Sequence, residues 1–178
     1  MTKKSVAALW VLALTCVLLF NFHTTDAKAQ FTDQSLSLQD IAFRISSPDK
    51  IANYLWKNFK FESDRSIFGQ EDYWQTPNEF LSRGKGDCED FAVFAQYLLK
   101  QRGISSFILN IYGRGEGHTV CVFKENGKYQ AIDGTKVFQV DANSLQELSE
   151  KIDPFWEKAA IVSPTANHGA QILTEFSK

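Results

Sequence analysis

Three residues in this chain have the types needed to make and break bonds together: Cys88, His118 and Asp133. A cysteine can supply a thiolate nucleophile, a histidine can take its proton, and a carboxylate can hold the imidazole in one tautomer. Each sits in a short, marked stretch: Gly86-Asp87-Cys88-Glu89-Asp90-Phe91-Ala92, then Gly117-His118-Thr119-Val120, then Ile132-Asp133-Gly134. The order along the chain is nucleophile, base, orienter, and each falls at the start or end of a different expected element. The chemistry this implies is attack by sulfur on an acyl carbon, through a thioester.

The elements must deliver those side chains to one place. Asp87 caps a helix over 88–102, with Phe91, Phe94, Ala95, Leu98 and Leu99 as a buried stripe and Gly103 as its stop. Cys88 therefore lies in the first turn, where unpaired N–H groups lower a thiol pKa and can hold an oxyanion, the Cys88 N–H among them. Asp87 and Glu89 oppose that ionisation. Strands are expected over 106–112, 117–123 and 128–132, the last two joined by the hairpin dipeptide Asn126-Gly127. On that hairpin His118 and Asp133 are placed to be cross-strand neighbours. Gly86 and Gly117 would let the backbone approach a substrate, and Trp74 is a candidate cleft wall, with plain core packing as its alternative.

Upstream, Ser47-Pro48 opens a helix whose apolar face is Ile51, Tyr54, Leu55 and Phe59, and Thr76-Pro77-Asn78-Glu79 is a capping box for a short helix over 77–82. Residues 60–75 read as a packed loop. A helix is expected over 144–152 and an edge strand over 155–162, followed by a frayed tail. Helices followed by an antiparallel sheet make an α+β layout. The organisation expected is a signal segment over 1–29, a flexible lead-in over 30–46, one domain over 47–163 and a tail over 164–178.

The signal segment rests on Lys3 and Lys4, the apolar run 5–22, and Ala27-Lys28-Ala29 as a cleavage site. That implies an exported protein, periplasmic or secreted; the alternative is an uncleaved membrane anchor. A formal charge of −2 leaves no basic footprint for nucleic acid. The domain keeps two cysteines, Cys88 and Cys121. Strand alternation sets 118 and 121 on opposite faces, so if His118 faces Cys88, Cys121 faces away and both thiols stay free; the alternative is a Cys88–Cys121 bridge. The acidic residues Asp72, Asp87, Glu89 and Asp90 cluster around Cys88 in the sequence without forming an EF-hand loop. Cys88 with His118 is too few ligands for zinc, and calcium stays open at this point.

The blocks Tyr73-Trp74-Gln75-Thr76-Pro77-Asn78-Glu79-Phe80-Leu81, Gly86-Asp87-Cys88-Glu89-Asp90-Phe91-Ala92 and Gly117-His118-Thr119-Val120 resemble the transglutaminase-like superfamily, and within it the bacterial transglutaminase-like cysteine proteinases. The resemblance spans residues 47–138. It implies a papain-like core and a Cys88-His118-Asp133 triad. It also implies calcium in some members, held by acidic residues flanking the nucleophile, and Asp87 and Glu89 occupy those places. The expected activity is an exported thiol hydrolase acting on peptide or amide bonds, with a protein or peptide substrate. The alternatives are a protein-crosslinking transglutaminase, in which an amine replaces water, or a non-catalytic module gripping peptide or cell-wall ligands.

Overall fold

The computed structural model describes residues 36–178. The apolar run 5–22, the expected cleavage site and the start of the lead-in lie outside the described residues. The rest of the lead-in is not loose. It forms helix α1 (Leu38–Arg44), because Ser37 and Asp40 make a capping box and Leu38, Ile41 and Ala42 bury one face. Helix α2 (Pro48–Asn58) starts at the Ser47 cap with proline in its first turn. The region expected to be a loop contains strand β1 (Lys60–Phe61) and a short helix α3 (Asp64–Phe68). Helix α4 (Pro77–Arg83) has the expected Thr76–Glu79 box and ends at Gly84, whose φ of 69° suits glycine. Strand β2 (Lys85–Gly86) pairs in parallel with β1 and leads directly into helix α5 (Cys88–Gln101).

The sheet follows: β3 (Ser106–Gly113), β4 (Glu116–Glu125), β5 (Lys128–Asp133) and β6 (Lys136–Ala142), then helix α6 (Leu145–Ile152), then β7 (Trp156–Pro164) and β8 (Ala170–Ser177). The six strands run in the order β6-β5-β4-β3-β7-β8, every neighbour antiparallel. The layout is α+β, as expected.

Two expectations for the C-terminal half are corrected. The strand expected over 155–162 is an interior strand, β7, and not an edge. The tail expected to fray supplies the true edge, β8. Strand β8 keeps nearly all its side chains in solvent, so it shows little alternation, and backbone pairing to β7 is what orders it. Strand β6 is an addition that the turn at Gly134 conceals in the sequence.

Each face of the sheet carries a core. On one side α1, α2, α4 and α5 cover Ile108, Cys121, Phe123, Ile132, Ala160 and Val162. On the other, Leu148 of α6 packs with Leu109, Ile111, Val120, Val122 and Trp156. Helix α5 is buried along most of its length, with Phe94, Ala95, Leu98 and Leu99 fully enclosed. Around it Phe59 stacks on Phe80 at 4.3 Å, and Phe91 and Phe94 meet Phe80 edge-on. This aromatic packing fixes the helix against α4 and the end of α2 and so helps fix where its first residue stands.

Candidate active site

A cavity of about 450 Å³ opens where the start of α5 meets the sheet. Cys88 and His118 both line it, together with Trp74, Gly117, Asp87 and Glu89. Cys88 is the first residue of α5, and His118 stands near the start of β4. His118 Nε2 meets Asp133 Oδ1 at 2.8 Å. The register sets Cys121 opposite Ile132, so one step further Asp133 falls opposite Val120. His118 and Asp133 are thus diagonal neighbours, not a directly opposed pair, and their side chains close the extra distance. With Nε2 committed to Asp133, Nδ1 is the imidazole nitrogen left for the cavity. The Asp133 bond raises the His118 pKa above its ordinary value, and partial burial works against it.

The thiol differs from expectation. Cys88 Sγ lies 3.2 Å from Glu89 Oε2. Burial, then the Glu89 charge and its hydrogen bond, push the thiol up to about 12, against the pull of Thr119. The helix N-terminus is outweighed because the sulfur is desolvated and has a carboxylate beside it. The cysteine is held neutral here and is not the thiolate the sequence suggested. Both cysteines are free, as expected, and 118 and 121 lie on opposite faces of β4 as alternation requires, but Cys121, expected to face away from Cys88, is on the side of the sheet that the Cys88 helix covers. Cys121 packs on the helix side of the sheet with Ile108 and Phe123. By alternation the β4 residue near Cys88 that shares this face is Thr119.

Glu89 belongs to a tight acidic group. Ligand atoms of Asp64, Asp87 and Glu89 lie within 4.8 Å of one another. Asp64 is almost fully buried, and the Oδ1 atoms of Asp64 and Asp87 have no hydrogen-bond partner. Burial raises both Asp64 and Glu89, and the charge of Asp87 raises both further. Unpaired, buried carboxylate oxygens converging on one point fit a hard divalent cation. Asp87 and Glu89 were legible in the sequence, but Asp64 was not. It lies in the stretch read as loop, and only the fold brings it to Asp87, whose Oδ2 accepts its N–H at 3.2 Å.

Other acidic and glycine residues near the nucleophile have structural work. Asp90 turns inward, its Oδ1 accepting the Gln75 N–H at 2.8 Å and its Oδ2 the Asp87 N–H at 3.3 Å. Gly86 does not line the cavity. A Cβ there would come within 2.1 Å of Asp90 Oδ2 and 2.7 Å of Gln75 Nε2, so the glycine makes room for that buried link. Gly117 does line the cavity. Trp74 is both wall and core: it is 4% exposed, and its Nε1 donates to Asp72 Oδ1 at 2.8 Å. His168, in the β7–β8 turn, clasps it, accepting the Trp74 N–H on its carbonyl and approaching the Trp74 carbonyl with Nδ1, both at 3.1 Å. The sequence also left unread the ladder behind the cavity: the Thr119 hydroxyl donates to Asn110 Oδ1 at 3.0 Å, and Asn110 Nδ2 to the Tyr112 hydroxyl at 3.2 Å.

A helix-capped cysteine on a sheet that carries a His–Asp pair defines a transglutaminase-like, papain-like architecture. The model of one family, described as a transglutaminase-like domain, matches residues 34–153, and the chain belongs to that family. Solved structures share the fold. Calcium-bound LapG of Legionella pneumophila aligns with a TM-score of 0.50 at 20% identity, over 94% of this chain and 88% of that one. Its EGTA-treated form aligns with a TM-score of 0.50 at 20% identity, over 76% and 78%. A UPF0252 protein of Archaeoglobus fulgidus is 33% identical over 63 residues, which is 34% of this chain and 20% of that protein. The chain therefore spans only a fifth of that relative's length. Among the described residues no helix is long and apolar enough to cross a membrane.

Proposed function

We propose that this protein is an exported thiol hydrolase that cleaves peptide or amide bonds in a protein or peptide substrate, with Cys88, His118 and Asp133 as its catalytic triad. The observation that carries the reading is that Cys88 and His118 share one cavity while Asp133 fixes the outer nitrogen of His118. Because the thiol is held neutral, His118 must first be free to accept a proton. Its Nδ1 takes the proton as sulfur bonds to the substrate carbonyl carbon, and the carbonyl electron pair moves to oxygen. The Cys88 N–H, at the start of α5, faces that oxyanion. Collapse breaks the C–N bond, the leaving amine takes the proton from His118, and a thioester remains. Water, deprotonated by His118, then releases the acid and restores the thiol.

Asp64, Asp87 and Glu89 would hold a calcium ion, whose chemistry there is to neutralise their charge and fix the loop before α5. Two kinds of support bear on this: the orphaned Asp64 and Asp87 oxygens, and a calcium-bound solved structure of the same fold. Export rests on the N-terminal segment alone, with its basic start, apolar run and Ala27-Lys28-Ala29.

The test is hydrolysis of casein by the purified protein with and without calcium, beside Cys88→Ser and His118→Ala. Cleavage by the unsubstituted protein and its loss in both variants is the expected result. Casein crosslinked in place of being cut would identify amine transfer. An untouched casein that nonetheless stays bound would leave a gripping module.

A further inference from the structure

The cavity beside Cys88 is a groove with Cys88 at one end. Its floor is the helix-facing side of the sheet, and it crosses four adjacent strands, with Thr119 on β4, Asn110 on β3, Val162 on β7, and Ala170 and Ile172 on β8. The pairing sets Thr119 opposite Asn110 and Val162 opposite Ile172, and because Asn110 pairs with Ala160, the Val162–Ile172 pair lies two residues along the sheet and the floor runs diagonally. Strand β8 is one of the sheet's two edges, the other being β6, so the groove runs off the sheet on the β8 side. Strands lie about 4.8 Å apart and an extended chain rises about 3.3 Å per residue, so three strand spacings with a two-residue offset make a diagonal of about 16 Å, which holds about five residues.

The character of the groove changes along that path. Near Cys88 it is polar and acidic. At the β8 end its floor is Val162, Ala170 and the 54% exposed Ile172. Among the described residues no lysine or arginine lines the groove to hold a C-terminus. Of the acidic wall residues, Glu71 pairs with Arg65 and Asp72 with Trp74 Nε1, while Asp87 and Glu89 belong to the carboxylate group beside Cys88. Soluble proteins usually blunt an edge strand with proline or several charges. Strand β8 has no proline and a single charged residue, Glu175, and it exposes Ile172 and Leu173 side by side. Leu173 is the unmatched residue of a bulge, since Thr174 pairs with Ile161 and Ile172 with Val162. Bulges recur where a strand must re-aim a side chain beside a site.

We propose that the ligand of this groove is an internal segment of an extended polypeptide that crosses β3 and β7 and leaves over β8. Ala170 and Ile172 form a subsite for an aliphatic side chain about five residues from the bond at Cys88. The assignment rests on the reading of Cys88 as the nucleophile only for where the scissile bond lies. The groove itself can be tested without catalysis.

The probe is a positional library of unstructured decapeptides with blocked termini, offered to the full chain carrying Cys88→Ser. The expected result is retention of peptides with an aliphatic residue at one fixed position. Adding Ile172→Glu should weaken retention about ten-fold or more and erase that preference, because a carboxylate would be desolvated in the subsite. Adding Ile172→Val should keep both. The proposal is overturned if the Cys88→Ser protein retains no peptide. It is equally overturned if Ile172→Glu binds with unchanged strength and preference. A dimer of the unsubstituted protein that Ile172→Glu disperses would assign the edge to a second copy and also overturn it. Peptides that are held but never cut by the unsubstituted protein would sink the hydrolase reading and leave the groove assignment standing.

Discussion

His118 Nε2 and Asp133 Oδ1 lie 2.8 Å apart across the β4–β5 hairpin, a diagonal pair whose closure holds the imidazole at the mouth of the cavity. The Asp133 carboxylate raises the His118 pKa above its usual value. Asp133→Asn should therefore lower it, read as a shifted midpoint in an NMR titration of the His118 ring. In catalysis the rise of rate with pH should follow His118 deprotonation, so the same variant should move that limb to lower pH. The stability sign follows from linkage. A raised folded-state pKa contributes stability that is fully present below the unfolded value and is lost as pH rises through the folded one. Asp133→Asn should thus destabilise the protein more at pH 5 than at pH 9, measured by thermal melts at both.

The neutral Cys88 thiol predicts slow alkylation. Iodoacetamide labelling of the metal-free protein at pH 6 should be well below that of a free cysteine, since only the thiolate reacts. Burial keeps Glu89 largely protonated up to about pH 9, so at pH 10 Glu89→Gln removes its charge but not the burial, and labelling there should speed up several-fold without reaching the rate of an exposed thiol. Mass spectrometry of the Cys88 peptide over time reads both rates. An unchanged rate in the variant would assign the high pKa to burial alone.

The Asp64–Asp87–Glu89 group predicts a calcium-linked rise in melting temperature. A ligand bound only by the folded state at about 100 times its Kd adds about 2.7 kcal/mol. Asp64→Asn should abolish most of that rise while leaving the fold intact without calcium, because it removes a buried, repelled charge. Calorimetry with and without calcium is the check. A full rise in Asp64→Asn would remove Asp64 from the site.

Gly86→Ala should destabilise by about 1–3 kcal/mol, the usual cost of forcing extra volume into a packed site. The new methyl would strike Asp90 and Gln75, which anchor the turn into α5. Denaturant unfolding measures the loss, and the displaced Cys88 should lose activity beyond the change in stability.

Phe94→Ala should cost about 3–5 kcal/mol, the range for truncating a buried phenylalanine. Phe94 is fully enclosed and touches Tyr54, Phe59 and Phe80. A loss below 1 kcal/mol in chemical denaturation would mean that α5 is not the pillar of this core.

Local chemistry was readable from the residues in order. Thr76 and Glu79 cap α4, Asp87 precedes α5, Asn126-Gly127 turns β4 into β5, and the apolar stripe of α5 faces inward. These depend on neighbours a few positions away, so the sequence alone carries them, and with them the roles open to Cys88, His118 and Asp133. What lies far apart in the chain depended on the tertiary structure. Only folding brings Asp64 to Asp87 and buries the Cys88 thiol, whose neighbour Glu89 the sequence already set against its ionisation. Only folding lays β8 beside β7, so that Ile172 meets the same groove as residue 88. Charge repulsion, desolvation and edge pairing act through space between residues many positions apart, and no window of sequence records those distances.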